Sequence, residues 1–468
     1  MSFGALREFA TNIRLWLAVG PLLFLTAGML TIVFSLRSFE ESLAEEEIGL
    51  MDQYDATLLA FVVLTTLGAT AVAIYQTAQR TRPRTAYLAI AGLAPSGAAA
   101  HLTRQVLAVC SVAAIGGILA GAASAPTASR FIAWASSGRA DLVGRTDTHA
   151  IVGAGVITFG LALIASTRGA QVARSVEPIE ALKQLPFQPR RRSRWRARIG
   201  LASGVGALAA AGLTVYLPGL ERFKFEPVAV ANAAAANAAA VSAAVTTALL
   251  AVFFVLTAPV YCPLLIRGWT FFIPELRMPA LFLGRRGAAY QAGRSLEAFN
   301  VILVGALLVG ATLSIYFARS ALDPAGRGWV ETRDVSGVVL AAVPVVIAMT
   351  GSTMTVLATA RSRVAETRVL RLSGVTSRQV LVAGFAEAFI LAATATAVAL
   401  IGVATVGLAM GVGLAQVEAG PGWPTTLGFD PLVWLAPLGV TVFGLALVTA
   451  ATLPSLIRGL RGSVAPRH

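Results

Sequence analysis

Long, almost uninterrupted apolar runs alternate along this chain with short polar bursts. The runs are Leu15 to Leu36, Leu58 to Tyr75, Val106 to Ala125, Ala150 to Ala165 and Ile199 to Tyr216, followed by Ala238 to Ile266, Asn300 to Phe317, Val335 to Ala358, Leu381 to Leu414 and Pro431 to Leu453. A bilayer crossing takes about 20 predominantly apolar residues, so each run predicts a spanning helix, about ten in all. No small-residue cleavage pattern precedes the acidic loop after the first run, which is therefore expected to stay as a span rather than leave as a signal peptide. The alanine-rich tract Ala231 to Val245 favours helix because alanine loses no side-chain entropy on folding. It reads as the outer end of the sixth span.

The polar bursts are not all alike. Arg363 to Gln379, R-V-A-E-T-R-V-L-R-L-S-G-V-T-S-R-Q, is a charged helix, a glycine and a second helix start, set between two apolar runs. Gly374 suits the left-handed cap that ends a helix, and Thr376 or Ser377 can cap the next one. The segment predicts a short amphipathic rod on the membrane surface. A weaker version lies at Thr77 to Gln105, and a shift of 282 positions places Gly374 on Gly92, Leu370 on Leu88 and Thr359-Ala360 on Thr77-Ala78. In that alignment Arg84 stands where Glu366 does and Gln105 where Glu387 does, with Pro83 at the helix start. The chain reads as two parallel repeats of three spans, Leu58 to Ala165 and Val335 to Leu453, with the elbow between the first and second span of each. Each repeat follows an entry helix, Gly4 to Leu36 and Gly287 to Phe317, whose polar start is expected to lie in the interface.

Composition agrees with the pattern: 56% of the 468 residues are hydrophobic and 13% charged, against about 25% charged in soluble proteins. An ordinary soluble fold is excluded. The net charge of +14 does not imply nucleic acid, because the arginines fall in alternate loops, as the positive-inside rule requires. Arg7, Arg14, Arg80, Arg82, Arg84, the run from Arg190 to Arg198, Arg285, Arg286, the Arg363 elbow, Arg458 and Arg461 share one side, which places both termini in the cytoplasm. The Arg190 to Arg198 run is an anchor suited to anionic lipid headgroups, each arginine near the surface contributing about 1 kcal/mol. Cys110 and Cys262 lie inside apolar runs, so packing is expected of them rather than a disulfide.

Candidate chemistry is sparse. No G-x-x-x-x-G-K-[ST] phosphate loop is present, so the chain does not hydrolyse ATP in the P-loop manner. His101, His149 and His468 are scattered, with no metal-ligand spacing and no nucleophile context. Catalysis, a metal and a cofactor of the chain's own are not expected. Glu387, about two turns past the elbow, is costly to bury, by about 2.5 to 3.5 kcal/mol at a helix centre; it reads either as an ion-pair partner of an elbow arginine or as a carboxylate reaching interfacial water. Asp55 and Asp334, at outer helix ends, read as interface-solvated.

The R-x-x-E-x-x-x-L-R-x-x-G-x-[ST] pattern formed by Arg363, Glu366, Leu370, Arg371, Gly374 and Thr376 resembles the signature of FtsX-like, MacB-type permease subunits of ABC transporters. The segment S-V-E-P-I-E-A-L-K, with Pro178, Glu180 and Leu182, resembles the tail that follows the last helix of a permease domain in that family. The resemblance implies an all-α polytopic fold of two FtsX-like modules: a first module over 1–184, a basic linker with two connecting spans over 185–280, and a second module over 281–468 whose FtsX-like unit is 335–463. It implies coupling helices at both elbows, carried by Arg84, Leu88, Gly92 and Pro95 in the first and by Arg363, Glu366, Leu370, Arg371, Gly374 and Thr376 in the second, with Gln105 and Glu387 as transmission residues. It also implies a cytosolic ABC ATPase as partner, two copies per permease, with ATP and Mg bound by that partner, in a bacterial plasma membrane. Two lysines, Lys183 and Lys224, against many arginines match the codon bias of a GC-rich bacterial genome.

The family often carries a large extracytoplasmic domain, for which the connections Arg37 to Thr57 and Ala318 to Asp334 are too short. Export or extraction of an amphiphile such as a lipid, a peptide or an antibiotic-like molecule, directly from the bilayer, is the expected function. A relay of ATPase motion to an outer enzyme or a sensor kinase is the alternative. An ion-coupled secondary transporter would want carboxylates or broken helices at mid-membrane, whereas these spans are nearly free of charge.

Overall fold

The computed structural model describes residues 19–40, 94–137, 146–174, 194–222, 228–272, 279–291, 296–320, 372–415 and 433–442, with scattered positions between 63 and 92 and at 346, 350, 445 and 446. Regular structure among the described residues is entirely helical: α1 Gly20–Glu40, α2 Pro95–Ser137, α3 Thr148–Arg174, α4 Arg194–Arg222, α5 Val228–Trp269, α6 Pro279–Gln291, α7 Leu296–Ser320 and α8 Ser377–Ala415. A 3-10 turn, Thr270–Phe272, extends α5, and a further apolar helix, α9, is Val433–Val442. Helix is what apolar runs of this length must form where no water is available, because it pairs every backbone group within the segment. Hydroxyl groups in the runs are satisfied the same way. Thr26, Thr158 and Thr246 donate to the carbonyls of Leu22, Ala154 and Ser242, at 2.8, 2.7 and 2.8 Å.

Five of these helices contain segments long and apolar enough to cross a membrane: Ala99–Phe131, Thr148–Gln171, Arg198–Pro218, Ala238–Trp269 and Ser377–Ala415; shorter apolar segments are Gly20–Ser35, Ile302–Ile315 and Val433–Val442. This architecture is compatible with a multi-pass membrane protein. Of the run Leu58 to Tyr75 only Val63, Thr66, Thr70, Ala73 and Ile74 are described, all helical, and of Val335 to Ala358 only Val346 and Thr350, also helical. The alanine-rich tract lies within α5, as its composition requires. Of the entry segment expected from Gly287 to Phe317, Gly287–Gln291 belongs to α6, which starts earlier at Pro279, and Leu296–Phe317 belongs to α7.

By its contacts the chain falls into two units, Met1–Arg191 with Val346–Ala358, and Arg192–Val345 with Thr359–His468. In the first, α2 packs against both α1 and α3, and the α1–α2 crossing is set by glycine. A Cβ on Gly28 would lie 3.1 Å from the carbonyl oxygen of Gly117, and one on Gly121 would lie 2.9 Å from the Cβ of Thr31. Small residues let helix backbones approach where the surrounding lipid offers no hydrophobic driving force. Leu23, Ile74, Val106, Cys110 and Ala162 fill the core beside this crossing.

In the second unit α8 is the central helix, packed against α4, α5, α6 and α7. Of its most apolar window 61% is buried, against 28% for α4 and for α5. Ala258, Cys262 and Ile266 of α5, Ala288 of α6, Phe299 and Leu303 of α7 and Ile390, Leu391 and Val398 of α8 share one core. Phe254, Tyr261 and Phe299 stack along it, with ring centroids 6.3 and 6.2 Å apart. The connecting pair α4 and α5 pack along each other within this same unit. Leu201, Val205 and Leu208 of α4 point outward, an apolar surface suited to lipid.

Candidate functional site

Gly374 adopts φ +89°, the left-handed conformation that only glycine enters without steric cost. Nothing lies within 4 Å of where its Cβ would be, so the backbone angle, and not crowding, is what requires glycine here. Leu372, two residues earlier, still has helical geometry, and α8 starts at Ser377. Between them Thr376 is the N-cap. Its Oγ1 accepts from the Gln379 amide at 3.3 Å, the Gln379 Oε1 accepts from the Thr376 amide at 3.0 Å, and its carbonyl accepts the first helical bond from Val380 at 3.1 Å. This reciprocal arrangement is a capping box. It selects Thr376 over Ser377 as the capping residue.

Gly92 repeats the turn with φ +93° and the same open surroundings. The helix that follows begins at Pro95, three residues on, just as α8 begins three residues after Gly374. Its cap differs. Ala94 stands where Thr376 does and has no hydroxyl, while Pro95 takes the first helical position, where its missing amide hydrogen costs nothing. The two glycines therefore share a backbone angle, while the residues that start the next helix differ. Gln105 lies two to three turns into α2, half-buried, with its Nε2 3.0 Å from the Nε2 of His101 one turn before it. His101 had no assigned role in the sequence, although a spacing of four on one helix already makes the two residues neighbours.

Glu387 is a buried residue, 7% exposed. It shares a face of α8 with Ala383 and Ala386, and that face meets α6. A Cβ on Gly287 would lie 3.2 Å from the Glu387 Oε2, and one on Gly284 would lie 2.7 Å from the Ala386 Cβ and 2.8 Å from the Ala383 carbonyl oxygen. The Glu387 carboxyl thus rests on the backbone of α6. Gly284 and Gly287 are the residues that the sequence reading passed over. Their signal was present in G-R-R-G, because each glycine inside a helix costs roughly 1 kcal/mol relative to alanine and two in a helix of 13 residues call for a close neighbour. Between them Arg285 is half-buried, and Arg286 is exposed with its guanidinium 5.0 Å from the Phe282 ring centroid.

Arg84, Leu88, Arg363, Glu366, Leu370 and Arg371 of the expected coupling helices, and Pro178, Glu180 and Leu182 of the expected tail, lie outside the described residues, as do Asp55 and Asp334. Cys110 and Cys262 are free thiols, both buried. Among the described residues no group of three His, Cys, Asp or Glu side chains is placed to hold a metal ion. No protein-family model matches this sequence, and no match to a curated protein was found.

Proposed function

We propose that this chain is the membrane-spanning permease subunit of an ABC transporter, an FtsX-like protein by resemblance, with two parallel modules, about ten spans and both elbows facing the cytoplasm of a bacterial cell. A separate cytosolic ATPase, in two copies, binds ATP and Mg, closes, and pushes on the elbows. The spans carry that movement to the opposite face, where an amphiphile is exported or drawn from the bilayer. The observation that carries this reading is the Gly374 elbow: a left-handed glycine and a capping box launch, without interruption, the most buried of the five apolar helices. A joint of fixed shape at the foot of a central helix is what a push from outside the membrane requires. The matching φ at Gly92 supports a second contact point, so that a dimeric motor meets both halves of one chain.

Helix length favours a second reading beside the first, in which the chain relays ATPase movement to a partner on the outer face. With 43 residues α2 is about 64 Å long, whereas the hydrocarbon core is about 30 Å thick and a typical tilt of about 20° lengthens the crossing only to about 32 Å. The excess offers helical surface outside the membrane that the short loops alone would not supply.

Reconstitution tests the proposal. The purified chain is expected to show no ATPase activity alone, and to stimulate or restrain an ATP-binding subunit that co-purifies with it. Hydrolysis by the isolated chain, or purification from its native membrane with no ATP-binding subunit, would remove this reading.

A further inference from the structure

The geometry points to α6 as the second arm of the elbow: clamped through Gly284 and Gly287 onto the first turns of α8, it moves with the elbow. The transmission half of this inference rests on the proposed function; the clamp itself does not.

Three observations carry it. Gly284 and Gly287 weaken a short helix, yet a Cβ on Gly284 would collide with the Ala386 Cβ and the Ala383 carbonyl of α8, and one on Gly287 would press on the Glu387 carboxyl, the end of a side chain that can yield. The backbones are therefore in close contact at Gly284, where no side chain intervenes to absorb a shift of one helix against the other. Next, Ala288 of α6 is fully buried in the core that also holds Phe299 of α7 and Ile390 and Leu391 of α8. The helix is thus packed into the unit rather than resting on it. Finally, Ala383 to Glu387 lies within about 15 Å of the start of α8, along continuous helix. A displacement at Thr376 reaches the clamp with no hinge between them. Glu387 is the positioning residue of this contact: it is buried, and its carboxyl fills the space that Gly287 leaves open, 3.2 Å from where a Cβ would stand.

Hydrogen exchange on the full chain in lipid nanodiscs tests the clamp without any partner. Gly284→Leu is expected to raise amide exchange across α6 at least tenfold, whereas Gly384→Leu, on α8 where no atom lies within 4 Å of a Cβ, leaves it unchanged. Gly287→Ala, a milder wedge, should raise it less, so the result does not depend on one poorly folding variant. Glu387→Ala, which removes the side chain lying over Gly287, should likewise raise α6 exchange. Unchanged α6 exchange in both glycine variants overturns the clamp.

Transmission is read with fluorophores at Arg378→Cys in the elbow and, separately, Arg286→Cys in α6, on a background with Cys110 and Cys262 replaced by alanine. A non-hydrolysable ATP analogue is added together with the co-purifying ATP-binding subunit. Both labels are expected to respond, and Gly284→Leu should silence the second alone. A responding elbow with a silent α6 in the unmodified chain overturns the second arm. If the elbow is silent as well, the functional reading fails and transmission fails with it, while the exchange result still decides the clamp.

Discussion

Thr376 and Gln379 cap each other across the first turn of α8, each backbone amide donating to the other's side-chain oxygen. The corresponding turn of α2 has Ala94 and Gly97 in those places, so only one of the two turns is locked by its side chains. That difference gives Thr376→Ala a measurable effect. Losing an N-cap costs about 1 kcal/mol, so local exchange at Ser377 to Val380 should rise several-fold while the midpoint of global unfolding stays nearly unchanged. A Ser96→Ala control should leave both unchanged.

Gly374 and Gly92 offer a sharper comparison. Both have positive φ and open surroundings, so valine at either position pays about the same backbone strain, of order 1 to 3 kcal/mol. Coupling should nevertheless suffer more from Gly374→Val, because the helix it aims is the more deeply buried of the two, 61% of its apolar window against 39% for α2. The check is transport-linked ATPase activity in membranes holding both subunits, at equal expression. Equal losses would show that the two elbows are equivalent.

Topology is open to direct chemical test. With both cysteines replaced, Ser96→Cys and Arg378→Cys should be shielded from a membrane-impermeant thiol reagent in intact cells, while His149→Cys should react; all three positions are exposed on the protein. Reaction at Arg378→Cys from outside would invert the orientation and remove the coupling reading.

The α1–α2 crossing should be intolerant of size. Gly121→Leu would drive its side chain into Thr31 and the α1 backbone, and overpacking of this kind costs typically 1 to 3 kcal/mol and more where backbone must move. The expected readout is a clear drop in the thermal midpoint in detergent. Gly160→Leu, with nothing within 4 Å, is the matched substitution that should leave the midpoint in place.

A hydrogen bond links α5 to α8: the Trp269 Nε1–H donates to the Thr394 Oγ1 at 3.0 Å. Thr394→Val preserves the shape and leaves the indole donor without this acceptor, at a cost of about 0.5 to 1.5 kcal/mol because Trp269 is itself exposed. Thr394→Ser should recover most of it. A thermal midpoint series over the three side chains measures the difference.

What was legible in the sequence is what local chemistry dictates. Apolar length predicts helices where α1 to α5 and α7 to α9 stand, and glycine followed by a capping residue or a proline predicts the turns at Gly374 and Gly92, because a backbone angle and an N-cap depend on a few adjacent residues. Apolar runs carry no such record of their neighbours. In α8 apolar residues occupy every side of the helix, so nothing in their order says which face meets which partner. The burial of Glu387, its contact with Gly287 and the Gly28–Gly117 approach were decided only when the helices packed. Each depends on two backbones, distant in sequence, coming closer than side chains would allow, and that distance is a property of the pair.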